Sequence, residues 1–250
     1  RFTVLPDFSH HFPLLTRLEV AHNVIACCYG QGATPGGPGK GCADNEGAVV
    51  NSLRHLPALT YLNLGRNRLS YVDGGVFSSS CPLLSTLILS QNQLSSAPRP
   101  LHLAQLRELR LNDNKLVHLN HWRLAEPTDE VAPTTAAATA TSPAPAVSVP
   151  TAECTPVFLP MLERLYLHDN LLESIPPTSL LGCSASLLLL DASFNNISRL
   201  DTVQGLRACQ RLQQLLLNDN PVYAKFVRKD TTQQVIDVLS GVFAHELRIY

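Results

Sequence analysis

Long apolar runs are missing from this 250-residue chain. Hydrophobic residues make up 45% of it, yet the densest leucine run, Leu187 to Leu190, is four residues long, where a membrane-spanning helix needs about 18. Excess charge of either sign is missing too: 19 Lys and Arg face 20 Asp and Glu, and the sequence pI is about 6.8. No global field therefore draws the chain to nucleic acid or to an anionic membrane. Aromatic residues are scarce at 6%, with one Trp and one Met. The N-terminus, Arg1-Phe-Thr-Val-Leu-Pro, has neither the apolar segment of a secretory signal nor an initiator Met, so a fragment or a processed product is expected.

The signatures of chemistry are also absent. Gly39-Lys40 lies in a glycine-rich stretch, but a phosphate loop requires Gly at 34 and Ser or Thr at 41, where the chain has Thr34 and Gly41. Cys27, Cys28 and Cys42 with His22 contain no Cys-x-x-Cys pair, and adjacent cysteines fit one tetrahedral ion poorly. The carboxylates Glu19, Glu108, Asp113, Asp169, Asp191 and Asp219 recur with a repeat rather than joining a nucleophile and a base. No catalytic residue, metal or cofactor is expected.

What the chain does have is one eleven-residue phrase, Leu-x-x-Leu-x-Leu-x-x-Asn-x-Leu, written seven times. The copies begin at Leu15, Leu59, Leu84, Leu106, Leu162, Leu187 and Leu212. Val20 and Ala192 replace the third Leu, and Ile25, Ile197 and Val222 the last. The motif asparagines Asn23, Asn67, Asn92, Asn114, Asn170, Asn195 and Asn220 are separated by 44, 25, 22, 56, 25 and 25 residues. Four intervals define a 22–25-residue unit, and the other two carry insertions. The first, near 27–47, is glycine-rich; the second, near 125–156, is an Ala/Thr/Pro tract. Neither can bury a core, and both are expected to be flexible.

Within x-x-Leu-x-Leu-x-x the leucines alternate, so they point inward and the intervening residues outward, as in a short strand. The segment after the strand repeats every three residues, as in Ile197, Leu200, Val203, Leu206, Cys209 and Leu212. By this register Cys81 and Cys209 replace core leucines, and Trp122, aligned with Val203, is expected to pack. Pro98 and Pro176 favour an extended return over a helix. Phe2, Leu5, Phe8 and Phe12 read as the return segment of an earlier repeat.

These phrases resemble the leucine-rich repeat family over about two thirds of the chain. The resemblance implies an α/β fold: a right-handed solenoid, or horseshoe, with a parallel sheet on its concave face. It implies that each motif Asn hydrogen-bonds to backbone groups of neighbouring turns. Residues 1–220 are assigned to the solenoid and 221–250 to a C-terminal cap, whose family pattern is cut short at Tyr250. The regular returns and this cap are similar to the short-repeat intracellular class, which includes a phosphatase-1 regulatory subunit, a spliceosomal protein and axonemal dynein-associated proteins. Extracellular members carry clustered cysteines in their end caps; the seven scattered here favour a reduced compartment. The sequon Asn196-Ile197-Ser198 is dictated by the motif and is discounted.

The family implies function through the concave face. Its expected side chains are Arg17, Glu19, Tyr61, Asn63, Glu108, Arg110, Arg164, Tyr166, Leu189, Asp191 and Leu216. Tyr and Arg are enriched at binding hot spots, and Leu189 and Leu216 suit an apolar partner helix. The expectation is a non-catalytic scaffold or adaptor for another protein. It is taken to be monomeric and cytoplasmic, with nuclear or axonemal placement as variants, and to touch neither nucleic acid nor membrane. Two alternatives are a ribonucleoprotein or nuclear complex reached through a protein partner, and a ligand-binding module of a larger receptor or enzyme.

Overall fold

A computed structural model describes residues 1–3, 12–28, 53, 56–98, 101–119, 157–176, 179–224 and 248–249. The strands in chain order are β1 (Arg17–Glu19), β2 (Cys27–Cys28), β3 (Tyr61–Asn63), β4 (Tyr71–Val72), β5 (Thr86–Ile88), β6 (Leu101–His102), β7 (Glu108–Arg110), β8 (Val157–Phe158), β9 (Arg164–Tyr166), β10 (Leu189–Asp191), β11 (Gln214–Leu216) and β12 (Arg248–Ile249). The helices are α1 (Gly75–Ser80), a 3₁₀ helix at Leu200–Ala208 and α2 (Pro221–Ala224).

Eight strands form one sheet in the order β1-β3-β5-β7-β9-β10-β11-β12, and its pairs run parallel. Each repeat supplies one strand in uniform register, with Leu18, Leu62, Leu87, Leu109, Leu165, Leu190 and Leu215 aligned. The eighth strand was not anticipated. Arg248 and Ile249, from the segment assigned to the cap, pair with Gln214 and Leu215.

Two short parallel pairs, β2 with β4 and β6 with β8, lie on the return side. The three-residue step in the last return becomes a 3₁₀ segment kinked at Val203 (φ −105°, ψ 26°) and capped by Cys209, with Val203, Leu206 and Cys209 all buried. This helix lies so close to the preceding return that a Cβ on Gly205 would come within 2.3 Å of the Pro176 carbonyl oxygen. Extended structure follows Pro98, at β6, but Pro176 is followed by a run of turns with hydrogen bonds Ser179 N–H to Pro176 O and Cys183 N–H to Leu180 O.

The core is continuous, and most of its side chains are leucines from the motif and return positions. Cys81 and Cys209 are fully buried, as their register predicts; burial pushes both thiols up to about 12. Phe12, in the equivalent position of the first repeat, is 51% exposed. Leu5, Phe8, Trp122, Cys42 and the bulk of both insertions lie outside the described residues, as does most of the cap.

The repeats are joined by their asparagines. Asn170 Nδ2 donates to Leu111 O of the preceding repeat and to Leu167 O and His168 O of its own, while its Oδ1 accepts from Leu116 N–H, all at 3.0–3.2 Å. Asn67, Asn92, Asn114, Asn195 and Asn220 make the same set in their own repeats. Asn23 starts the series, accepting from Phe2 N–H, so Phe2 occupies the slot that Ile25 and Leu69 fill further on. The expected bonds to neighbouring turns are thus present down the array.

Asn170 spans the longest interval, so Asn170→Ala tests whether the insertion leaves the array coupled. Its removal strands one buried N–H and several carbonyls, at roughly 1–3 kcal/mol each. Urea unfolding should show a loss of about 3–5 kcal/mol. A loss below 1 kcal/mol would mean that this asparagine does not join the two halves.

Candidate binding face and its edge

Alternation places every candidate side chain on the open face of the sheet. Leu18, Leu62, Leu109, Leu165, Leu190 and Leu215 are buried, while their flanking residues are exposed or half-buried. Arg17, Tyr61, Glu108, Arg164 and Leu189 form one row across adjacent strands; Glu19, Asn63, Arg110, Tyr166, Asp191 and Leu216 form the next. Leu189 and Leu216 sit on neighbouring strands but at different register positions.

Three local groupings emerge. At the first two repeats, the Arg17 guanidinium lies 3.6 Å from the Tyr61 ring centroid and bonds Glu19 Oε1 at 2.5 Å. Asn63 Nδ2 donates to Glu19 Oε2 at 2.9 Å. Partial burial pushes the Glu19 carboxyl up, but hydrogen bonds from Asn63, Arg17 and Tyr61 outweigh it and hold the group below the usual carboxylate range. The Tyr61 hydroxyl is raised by burial and then by the Glu19 charge.

At the centre, Glu108 receives two arginines. Arg110 Nε is 2.6 Å from Oε1 and Arg164 Nε 3.3 Å from Oε2. Arg110 also lies over Tyr166, 5.1 Å from its ring centroid. Beside them, His168 Nδ1 is 3.0 Å from Asp191 Oδ2 but out of line for a hydrogen bond. A groove of about 670 Å³ runs along this face, lined among others by Tyr61, Asn63, Ile88, Arg110, Tyr166 and Asp191.

The sequence reading missed what happens one residue before each motif Asn. His22, Arg66, Gln91, Asp113, Asp169, Phe194 and Asp219 all have positive φ, between 51° and 61°. Each turn reverses the chain at the sheet edge, aiming the following Asn inward. Asp tolerates this conformation better than most residues, which gives the recurring Asn-Asp-Asn and His-Asp-Asn triplets a physical cause. Phe194 does not share that tolerance, and it is 50% exposed. The edge also brings Asp113, His168 and Asp169 together, with ligand atoms within 4.8 Å of one another. All three are at least partly exposed, and that spacing alone assigns no ion. His22 pairs instead with Arg66, at 3.1 Å.

No family model matches the chain. Mouse leucine-rich repeat-containing protein 66 is 36% identical over 86 residues, covering 28% of this chain and 10% of that protein. A solved leucine-rich repeat protein of Leptospira interrogans superimposes with a TM-score of 0.53 at 19% identity, covering 94% of this chain and 48% of that one. The chain has the leucine-rich repeat fold. It spans about a tenth of the mouse protein and about half of the bacterial chain. No described helix of this leucine-rich repeat array is long and apolar enough to cross a membrane.

Two measurements probe the face and its edge. Phe194→Asn places a residue that tolerates positive φ where an aromatic is strained, relieving part of a cost of about 1–3 kcal/mol. Urea titration should find the variant about 0.5–1 kcal/mol more stable, and a destabilised variant would assign the ring a packing role instead. Glu19→Gln removes a charge that raises Tyr61, so the Tyr61 hydroxyl should ionise at lower pH, followed by NMR of its ring. An unchanged titration would show that Glu19 and Tyr61 are not coupled.

Proposed function

We propose that this solenoid is a non-catalytic scaffold or adaptor that binds another protein on its concave face. The supporting observation is the central groove, where Arg110, Tyr166 and their neighbours stand half-exposed on a backbone that every repeat fixes in register. Rigid presentation lowers the ordering cost of binding, and the aromatic and arginine content matches interface anchors. Leucine-rich repeat relatives are in general protein-interaction scaffolds, which fits the same reading. The contact set is Arg17, Glu19, Tyr61, Asn63, Glu108, Arg110, Arg164, Tyr166, Leu189, Asp191 and Leu216, centred on repeats two to five. Residues 1–220 act as one solenoid and 221–250 close its end, a role that the pairing of Arg248 and Ile249 with the last repeat strand supports. The protein works as a monomer in the cytoplasm.

The test is an affinity capture from cell extract, comparing wild type with Arg110→Glu/Tyr166→Ala. A partner present with wild type should drop at least about 30-fold in affinity, the ~2 kcal/mol of a hot spot. The thermal transition should move little, because both side chains are solvent-facing. Equal capture by the double variant would remove the concave centre as the binding site.

A further inference from the structure

The arginines at the centre of the sheet face, of which Arg110 lines the groove, are unequally matched with acid. Glu108 carries one negative charge and is contacted by two guanidinium groups, one on its own strand β7 and one on β9. Arg107 and Glu163 pair with each other in the next row, so they leave this imbalance untouched. The triad Arg110–Glu108–Arg164 therefore holds a net charge of +1. Its carboxylate is largely covered, at 12% exposure, whereas the two arginine side chains are 46% and 47% exposed. The positive members face solvent and the negative member lies beneath them.

Geometry points the same way. Both arginines approach Glu108 through Nε, and both side chains remain nearly half exposed to solvent. Arginine presents several N–H donors in a planar fork that matches an oxyanion. Two such forks on adjacent strands, about 4.8 Å apart, fit the two oxygens of one carboxylate. Tyr166 flanks Arg110 and limits its swing. Nearby Asp191, one strand further on in the second row, accepts from the Ser193 N–H and hydroxyl on the side of the sheet edge. The exposed Asp169 and Asp219 lie at the turn beyond the strands, displaced toward the sheet edge. A ligand acid is thus attracted to the N-terminal rows of the face and repelled from the edge.

Resting on the concave-face reading, we infer that the partner presents an acidic segment, and that Arg110 and Arg164 clamp one of its Asp or Glu carboxylates above Glu108. Glu108 acts as a positioning residue: it holds both guanidinium groups side by side and lowers their combined charge to one. Its replacement by Gln has a distinctive consequence. A purely structural Glu108 would weaken binding when lost, but a charge-limiting Glu108 would strengthen it, provided Gln keeps the arginines in place.

Hexaglutamate is the probe, titrated into the full chain at low salt and followed by the Nε–Hε resonances of Arg110 and Arg164. The expected result is movement of those two resonances ahead of other arginines, with affinity lost at least ten-fold in Arg110→Gln/Arg164→Gln. Arg110→Lys/Arg164→Lys keeps the charge but not the fork and should fall between. Glu108→Gln should bind several-fold tighter while its thermal transition stays within a few degrees. Undiminished binding by the double Gln variant, weaker binding by a folded Glu108→Gln, or equal movement from hexalysine would each overturn the proposal. Inorganic phosphate is the competing arm: saturation of the same resonances at lower concentration than hexaglutamate would assign the clamp to phosphate and overturn the acidic segment. If the clamp fails while Tyr166→Ala still loses the captured partner, the concave-face reading stands without it.

Discussion

Each motif asparagine solves a problem that stacking creates. A short strand that ends inside a solenoid leaves buried carbonyl and N–H groups with no neighbour to satisfy them, at a cost that accumulates with every repeat. One amide side chain, able to donate twice and accept twice, bonds its own turn and the turn before it. For Asn92 the partners are Leu64 O, Leu89 O, Ser90 O and Leu69 N–H. Because each set reaches back one repeat, the array is coupled through nearest neighbours. The bonds also set the register of the strands, and hence which side chains share a row on the concave face.

The same constraint explains the sheet edge. For the amide to point inward, the residue before it must turn the chain through a positive φ, and seven residues of varied type do so. Their side chains then project at the rim of the face in a line whose chemistry changes along the array. His22 and Arg66 stand at one end, Asp113, Asp169 and Asp219 toward the other. A structural requirement has thereby produced a charged border that is free to vary in identity, with Phe194 as its one strained aromatic member.

Much of this was legible in the chain. The leucine alternation set the strands, the asparagines set the repeat length, and the three-residue step in Ile197 to Leu212 gave one inward face in a tight helical or extended segment, which the structure resolves as 3₁₀. Cys81 and Cys209 were recognisable as core because they occupy leucine positions. Less was legible where a feature depends on contact between repeats. The positive φ at Phe194 has no local signal, since Phe itself argues against it. The cation–π approach of Arg17 to Tyr61 joins residues 44 apart in sequence, and which arginine chooses Glu108 depends on side-chain placement that periodicity leaves open. The strand β12 is equally non-local: Arg248-Ile249 pairs only because β11 offers an unpaired edge.

The insertions fall on the return side rather than on the face, and the asparagine bonds give that placement a physical reason. Both lie between a motif asparagine and the following strand of the main sheet, in the return path, with return-side strands at their margins: β2 at the start of the first, β8 after the second. Across each of them the asparagine bonds continue without change in pattern, Asn67 to Val20 and Ile25, Asn170 to Leu111 and Leu116. Closing a longer loop costs little more than closing a short one, about 0.6 kcal/mol for each doubling. Length can therefore be added on the return side at small cost, while the groups facing the concave side must keep their register or forfeit several hydrogen bonds at once. Arg110 and Tyr166 stand on opposite sides of the longest insertion and still lie ring over guanidinium. A binding face placed on the asparagine-locked sheet is insulated from changes elsewhere in the repeat.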